Sequence, residues 1–232
     1  MGTLRKRLGF CRVEVTPLAR GPETDLPLFR ERRVNDPKRA LELLAEEARR
    51  CTRCPLYRNA TQTVFGEGPA DAALMLIGEQ PGDQEDLAGR PFVGPAGKVL
   101  DAALEAAGIP RADIYVTNAV KHFKNEPRGK RRLHKKPDTS EIDACRWWLD
   151  HELAIVQPAV AVALGATAAR ALMRKALPIN ANRGRFLPLP EGGKALITVH
   201  PSYLLRLQEE RDKRREFGLL VRDLRLAADA AR

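Results

Sequence analysis

Four short apolar runs recur along the chain. They cover residues 73–77, 114–120, 159–164 and 195–199, and the first ends at Gly78. Continuous apolar runs of this length are typical of strands that are buried on both faces of a parallel sheet. Because helix-like stretches alternate with them, the pattern predicts an α/β fold, a three-layer αβα sandwich with a central four-stranded parallel sheet.

The predicted helices have recognisable ends. Asp36 followed by Pro37 is an N-cap with proline at the first helical position, and the apolar face of this helix continues to Cys51. Asp138 and Glu141 have the spacing of a capping box. Further helices are predicted over 96–107 before Gly108, over 138–156, over 166–175, and as one long C-terminal helix over 202–231.

Length and composition limit the organisation of the chain. Its 232 residues, 44% of them hydrophobic, suffice for one α/β domain over residues 36–232, whereas residues 1–35 are rich in Pro and Arg and predict an irregular N-terminal arm. No apolar run approaches the roughly 18 residues of a membrane-spanning helix, and the N-terminus lacks the apolar core of a secretory signal. We therefore expect a cytoplasmic protein with no membrane partner.

Positive charge is concentrated in one segment. The formal net charge is +10, and residues 121–136 contain eight Lys or Arg side chains against one acid, Glu126. Salt-dependent binding to nucleic-acid phosphates is the natural use of such a segment. The alternative is a solvated, flexible loop without a partner.

The four cysteines, Cys11, Cys51, Cys54 and Cys145, indicate a metal or redox site. In a reducing cytosol a Cys-x-x-Cys pair is more often a metal site or a redox dithiol than a structural disulfide. The pair Cys51/Cys54 follows a helical segment and precedes Pro55, whereas a thioredoxin-like dithiol follows a strand and begins a helix. A metal or cluster site is the better interpretation.

Chemically useful side chains follow the predicted strands. Ligands of open parallel sheets bind beyond the carboxyl ends of the strands. Glu79 comes after the first strand, Asn118 and the basic segment after the second, and His200 after the fourth. Each has an ordinary structural explanation as a turn residue, a cap or a core histidine, but their coincidence at one edge favours a functional site.

Four ordered motifs resemble the iron–sulfur uracil-DNA glycosylases of family 4. They are Gly78-Glu79-Gln80-Pro81-Gly82, residues 90–97, residues 117–121 and His200-Pro201-Ser202, so the resemblance extends from about Cys51 to Ser202. Gln80 and the segment Lys130-Arg131-Arg132-Leu133-His134 are similar to the UdgX subgroup, whose members become covalently attached to uracil-containing DNA. The usual subgroup segment is Lys-Arg-Arg-Ile-His, and Leu133 is a volume-conserving departure from it.

The resemblance implies a pocket for a uracil that is flipped out of the DNA. Phe92 would stack on the base, and Asn118 would pair with O4 and N3–H, which excludes cytosine. His200 would donate to O2 of the leaving uracil, and Glu79 or Asp83 would stabilise the cationic sugar, with Glu79 the stronger candidate. The uracil-binding set is Gly78, Gln80, Phe92, Asn118 and His200.

His134 is the candidate nucleophile that the subgroup resemblance implies. A neutral imidazole held at C1′ would compete with water and leave the protein attached to the abasic sugar. Lys130, Arg131, Arg132 and Ser202 would contact the DNA, and we expect a monomer acting on single-stranded uracil-containing DNA. The alternatives are a conventional multi-turnover hydrolytic glycosylase and a non-catalytic iron–sulfur protein that binds nucleic acid.

The family also implies a [4Fe-4S] cluster, at which this sequence departs from the usual ligands. Cys51, Cys54 and Cys145 match three of the cysteines, but the position of the remaining one is His122. Histidine does ligate iron in Rieske centres, so His122 is assigned as the fourth ligand. Recruitment of Cys11 is the alternative, and an unligated His122 is the third possibility.

Overall fold

A five-stranded sheet lies at the centre of the fold in a computed structural model that describes residues 36–129, 131–189 and 192–232. Its order is β2-β1-β5-β7-β6, in which β6 is antiparallel to β7 and the other neighbours are parallel. The strands are β1 (Leu74–Gly78), β2 (Ile114–Asn118), β5 (Val160–Leu164), β6 (Phe186–Pro188) and β7 (Lys194–Thr198), while β3 (Asn125–Arg128) and β4 (Arg131–His134) form a separate antiparallel hairpin. The four predicted parallel strands are confirmed.

The edge strand β6 and the β3–β4 hairpin were not predicted. β6 has three residues and ends in a proline, so it carries almost no periodicity. The hairpin lies in the basic segment, where exposed charged residues and Pro127 have low strand propensity. The alternative interpretation of this segment as a loop does not hold for residues 125–128 and 131–134, which are paired strands.

Helices cover both faces of the sheet. They are α1 (Pro37–Ala48), α2 (Asp83–Ala88), α3 (Pro95–Ala107), α4 (Thr139–Val156), α5 (Ala166–Met173), α6 (Ile179–Asn182), α7 (Pro201–Arg206) and α8 (Glu210–Ala231). On one face α8 contacts β1, β5 and β7 and packs with α3, while α5 contacts β1 and β5 and packs with α4. Strands β1, β2 and β5 are buried along their whole length, which explains the apolar runs from which they were predicted. Within the described residues, no helix combines the length and apolar character needed to cross a bilayer.

Several predicted helix ends are confirmed by their hydrogen bonds. Asp36 caps α1 by accepting from the backbone N–H of Lys38. At the start of α4, Asp138 accepts from the Glu141 N–H and the Glu141 carboxylate accepts from the Asp138 N–H. α3 ends at Gly108, which has the left-handed conformation that glycine adopts without strain.

The predicted C-terminal helix is two helices rather than one. α7 ends at Arg206, and α8 begins at Glu210 after Glu209, whose backbone is extended. The break allows α7 to stay at the end of β7 while α8 lies along the sheet. The predicted arm over residues 1–35, which includes Cys11, lies outside the described residues, and the single-domain assignment of 36–232 stays a prediction.

A buried ion pair joins α8 to the sheet and provides a test of the packing. Asp223 is completely buried and accepts hydrogen bonds from the Thr198 hydroxyl at 2.8 Å and from Arg183 Nε at 2.9 Å. Because Asp223→Ala would leave Arg183 and Thr198 without this partner, we expect the free energy of unfolding to fall by roughly 3–5 kcal/mol, measured by urea denaturation.

Glu42→Ala is the matched control for that loss. It removes an ion pair with Arg39 in which both side chains are about half exposed, so its expected effect is within about 0.5 kcal/mol. Equal unfolding free energies for the Asp223 and Glu42 variants would contradict the role assigned to the buried pair.

Candidate active site

The carboxyl ends of the parallel strands meet at one edge of the sheet and border a cavity of about 1280 Å³. Gly78 at the end of β1 lies opposite Asn118 at the end of β2, and Leu164 lies opposite Thr198 on β5 and β7. Many of the predicted site residues line this cavity: Glu79, Gln80, Asp83, Phe92, Asn118, His134, His200 and Ser202. The structure thus brings together groups that are up to 123 positions apart in the sequence.

Gly78 allows Asn118 and Phe92 to approach each other. A Cβ atom at Gly78 would lie 2.3 Å from Asn118 Oδ1 and 2.6 Å from Phe92 Cζ, so any larger residue would displace both side chains. Phe92 itself has φ of 56°, a left-handed conformation that is strained for a phenylalanine. Its carbonyl lies where Gly97 would carry a Cβ atom, so the missing side chain of Gly97 accommodates this backbone path.

The backbone of Asn118 is fixed by a hydrogen bond, whereas its side-chain amide is free to bind a ligand. Its carbonyl accepts from Lys121 Nζ at 2.8 Å, and the residue is almost fully buried. Among the residues that the structure describes, none forms a hydrogen bond with the Asn118 side-chain amide. The amide can therefore offer both a donor and an acceptor to a ligand in the cavity.

His200 is held in one tautomer. Its Nδ1 accepts from the Ser202 backbone N–H at 3.2 Å and lies 2.8 Å from the Ser202 hydroxyl. Because a backbone N–H can only donate, Nδ1 carries a lone pair, and the proton of the neutral ring is on Nε2. Burial, with the nearby Arg206 and His134 adding to it, lowers the pKa of His200 to about 4. At neutral pH the ring is uncharged and its Nε2–H remains a donor.

Ser202 orients His200 and is itself held by Arg206. Its backbone N–H and hydroxyl contact His200 Nδ1, and its hydroxyl also accepts from Arg206 at 3.3 Å. The predicted contact of Ser202 with DNA stays a prediction. Phe92 faces His200 with 6.1 Å between ring centroids and 29° between ring planes. The aromatic face and the neutral imidazole thus border the same part of the cavity.

Glu79 is oriented by a residue that the sequence analysis missed. Its Oε2 accepts from the Thr167 hydroxyl at 2.6 Å, and its Oε1 lies 3.5 Å from His134 Nε2. Thr167 lies in the first turn of α5, just beyond the end of β5. The position after the third apolar run could have identified it, but that run is followed by Gly-Ala-Thr, which contains no titratable group.

Gln80 supports the hairpin instead of facing the cavity with a free amide. Its Oε1 accepts from the Lys124 N–H at 3.0 Å and its Nε2 donates to the Lys135 carbonyl at 2.9 Å. These two backbone groups fix the orientation of the amide. Gln80 Nε2, 2.8 Å from His134 Nε2, must therefore donate to it, which leaves that imidazole nitrogen unprotonated. Gln80 thus positions the hairpin and His134, and its binding to uracil stays a prediction.

Arg132, which was predicted to contact DNA, ties the hairpin to α2, and its contact with DNA stays a prediction. Its Nε is 2.7 Å from Asp83 Oδ1, and its Nη1 contacts Asp86, which is completely buried. The guanidinium also lies over the Phe123 ring at 5.4 Å. Asp83, a predicted catalytic alternative to Glu79, is engaged by Arg132 and holds the hairpin.

Half of the basic segment is neutralised by partners within the protein. Besides Arg132, Lys121 pairs with Glu152, Lys124 with Asp138 and Glu141, and Lys135 with Glu126. Among the described residues of the basic segment, the exposed cations without an ion-pair partner are Arg128, Arg131 and Lys136. Lys130, also predicted to contact DNA, lies outside the described residues.

The three described cysteines are buried free thiols. The Trp148 indole N–H donates to Cys51 Sγ, and the Lys121 backbone N–H donates to Cys145 Sγ, both at 3.1 Å. Burial raises the pKa of Cys145 to about 12 and also raises that of Cys54. The thiolates therefore require a nearby cation to exist at neutral pH, and they influence one another electrostatically.

His122 has the properties of a ligand. It is buried, burial lowers its pKa, and in the described part of the chain its Nδ1 has no hydrogen-bond partner. An orphaned buried nitrogen needs an explanation, and coordination of a metal is one. Among the described residues no three His, Cys, Asp or Glu side chains could hold a single metal ion.

Comparison with known proteins matches residues 65–225 to the uracil DNA glycosylase superfamily. The chain is 41% identical to a type-4 uracil-DNA glycosylase of Thermotoga maritima over 72% of this chain and 83% of that protein. It is 36% identical to the type-4 enzyme of Pyrobaculum aerophilum, over 72% and 85% of the two chains. For the type-4 enzyme of Archaeoglobus fulgidus the identity is 32%, over 74% and 87%. The chain belongs to the uracil-DNA glycosylase superfamily.

Proposed function

We propose that the protein excises uracil from DNA and then becomes covalently linked through His134 to C1′ of the abasic sugar. The excision is supported by the family and by a cavity that holds an available amide, an aromatic face and a neutral histidine donor. The observation that carries the covalent step is the lone pair of His134 Nε2, which Gln80 keeps unprotonated 3.5 Å from Glu79.

Recognition of uracil is assigned to Asn118 and Phe92. The Asn118 amide would donate to O4 and accept from N3–H, whereas cytosine presents an amino donor and an unprotonated N3 at the same positions. A base flipped into the cavity would stack on Phe92, whose backbone passes close to Gly97 of α3. Gly78 keeps this corner free of side-chain atoms, so the base can reach the Asn118 amide.

Cleavage is assigned to His200 and Glu79. As the bond between C1′ and N1 breaks, its electron pair leaves with uracil and negative charge develops on O2. His200 Nε2–H, neutral and already oriented by Ser202, would donate to that oxygen without reorganisation. The Glu79 carboxylate, oriented by Thr167, would stabilise the positive charge on the sugar.

Capture of the sugar is assigned to His134. Its Nε2 would give up the hydrogen bond from Gln80, and the freed lone pair would form the new bond to C1′. Loss of the Nδ1 proton to solvent would leave a neutral glycosyl imidazole, a poor leaving group. His134 has 51% of its side chain exposed, so DNA can reach it, while Arg132 and Gln80 fix the hairpin that carries it. A positioned nucleophile outcompetes water through its effective concentration.

Hydrolytic excision is the second candidate function. The relatives are named type-4 uracil-DNA glycosylases, and the same pocket would release an abasic site if water took the place of His134. For either outcome the proposed substrate is single-stranded uracil-containing DNA bound by a monomer. Arg128, Arg131 and Lys136 are the exposed cations that would contact its phosphates.

A [4Fe-4S] cluster held by Cys51, Cys54, Cys145 and His122 is the proposed cofactor. The donors come from the end of α1, the segment after Asn118 and α4, so one cluster would join three parts of the chain. When bound, it would stabilise the thiolates and connect these segments without taking part in excision.

Asn118 is the first residue to test. Asn118→Ala should reduce uracil excision by about tenfold or more, because the base would lose the hydrogen bonds that select it. Asn118→Asp should lower uracil excision and raise cytosine excision. Single-turnover assays on oligonucleotides with one uracil or one cytosine measure both rates. Wild-type uracil excision by Asn118→Ala would show that the base-reading residue lies elsewhere.

Replacement of His134 separates the two proposed reactions. His134→Ser should abolish the cross-link while retaining excision, because neither His200 nor Glu79 depends on that imidazole for its own action. A denaturing gel detects the cross-link, and mass spectrometry of the digested adduct locates the sugar. His151→Ser is the matched control, since His151 lies on α4 next to Trp147 and should leave cross-linking unchanged. A sugar found on Glu79 or on a lysine would refute the histidine mechanism.

The fourth cluster ligand is decided by iron content. Wild-type protein should contain about four irons per chain, and His122→Cys should retain them, whereas His122→Ala should lose part or all of the cluster. Iron analysis and visible absorbance after anaerobic purification provide the measurement. If Cys11→Ser loses the cluster and His122→Ala keeps it, the ligand is Cys11.

A further inference from the structure

Lys121 is a buried cation that the proposed mechanism does not use. Its side chain has no exposed surface, and its Nζ contacts three acceptors: Thr117 Oγ1 at 2.6 Å, the Asn118 carbonyl at 2.8 Å, and Glu152 Oε2. An ammonium group has three N–H bonds, so each of its donors has a partner. The geometry of the ammonium is thereby determined completely.

Glu152, the counter-ion on α4, is equally buried and equally engaged. Its Oε1 accepts from the Tyr115 hydroxyl at 3.0 Å, the Gly66 N–H at 3.1 Å and the Thr117 hydroxyl at 2.9 Å. Removing two charges from water is costly, and such a pair persists only where additional hydrogen bonds surround it. The Lys121–Glu152 pair therefore holds a fixed position between β2 and α4.

The pair is linked to the base-reading residue through the backbone. Asn118 is the last residue of β2, and the peptide group that follows it is held at both ends: its N–H, that of Ala119, donates to the Gly78 carbonyl at 3.0 Å, while its carbonyl accepts from Lys121 Nζ. The Lys121 ammonium donates to the Asn118 carbonyl and to the hydroxyl of Thr117, the residue that precedes Asn118. A change in that carbonyl's direction would rotate the peptide and move the Asn118 amide relative to Gly78 and Phe92.

We propose that Lys121 is a specificity-determining positioning residue, which holds the Asn118 amide where it reads uracil. This inference rests on the proposed function, because it assigns a cause to the placement of that amide. If the pair served stability alone, its loss would lower the free energy of unfolding and leave uracil affinity as it is. The two roles therefore predict different results for ligand affinity.

The inhibition constant of free uracil is the discriminating measurement. Lys121→Met keeps the length of the side chain and removes the donors, so we expect this constant to rise about tenfold, the equivalent of one misplaced hydrogen-bonding group. It is measured as inhibition of single-turnover excision with enzyme in excess. Because the constant describes only the molecules that react, a partly active preparation gives the same value. Binding of uracil-free single-stranded DNA should stay unchanged.

Two further variants keep the inference falsifiable if Lys121→Met folds poorly. Lys121→Met combined with Glu152→Gln removes both charges and avoids an unpaired buried carboxylate, and the same rise in the inhibition constant is expected. Asp223→Asn weakens the other buried pair, on α8, and should lower stability with no effect on uracil affinity.

The failures of the two proposals are distinguishable. If the wild-type protein excises no uracil, the proposed function is wrong whatever the variants do. If the wild-type protein does excise uracil, but free uracil inhibits both Lys121 variants with the wild-type inhibition constant, the proposed function stands and the positioning role of Lys121 is overturned. An equal rise in the Asp223→Asn variant would also overturn it, because destabilisation in general would then explain the effect.

Discussion

Parallel strand pairing in register is the constraint on which the site depends. Parallel strands carry their carboxyl ends to the same edge of a sheet, and here Gly78 lies level with Asn118 while Leu164 lies level with Thr198. The residues that follow these strands need no long loops to reach one another. The antiparallel strand β6 lies at the far edge, so it does not interrupt the four strand ends that border the cavity.

Strands and strand-end residues were predictable because each signal is local. A strand covered on both faces must be apolar throughout, so its bounds can be found within a residue or two, and the side chain after it is known to lie at the functional edge. Glu79, Asn118 and His200 were identified on that basis, and the structure places all three at the cavity. Capping at Asp138 was equally local, since the box uses residues three apart.

The interactions that the sequence did not reveal join segments that are distant in the chain. Arg132 pairs with acids 46 and 49 positions away, and Thr167 orients a carboxylate 88 positions away. A count of basic residues carries no information about such partners. Such a count therefore predicts that all eight cations of the basic segment form a phosphate-binding surface. Four of them are neutralised within the protein. Net charge therefore overestimates the charge that is available to DNA.

The internal use of Arg132 is consistent with the proposed role of His134, which requires a positioned nucleophile. A flexible loop would leave His134 to sample many positions, and its advantage over water would disappear with the effective concentration. Arg132 fixes one strand of the hairpin to α2. The Gln80 amide forms hydrogen bonds with the backbone of Lys124 and Lys135, the residues that flank the two ends of the hairpin. A cation released to bind phosphate would add affinity for any DNA, whereas one bound to Asp83 and Asp86 adds order at His134, the proposed nucleophile. For a reaction at a single carbon, order is the more valuable contribution.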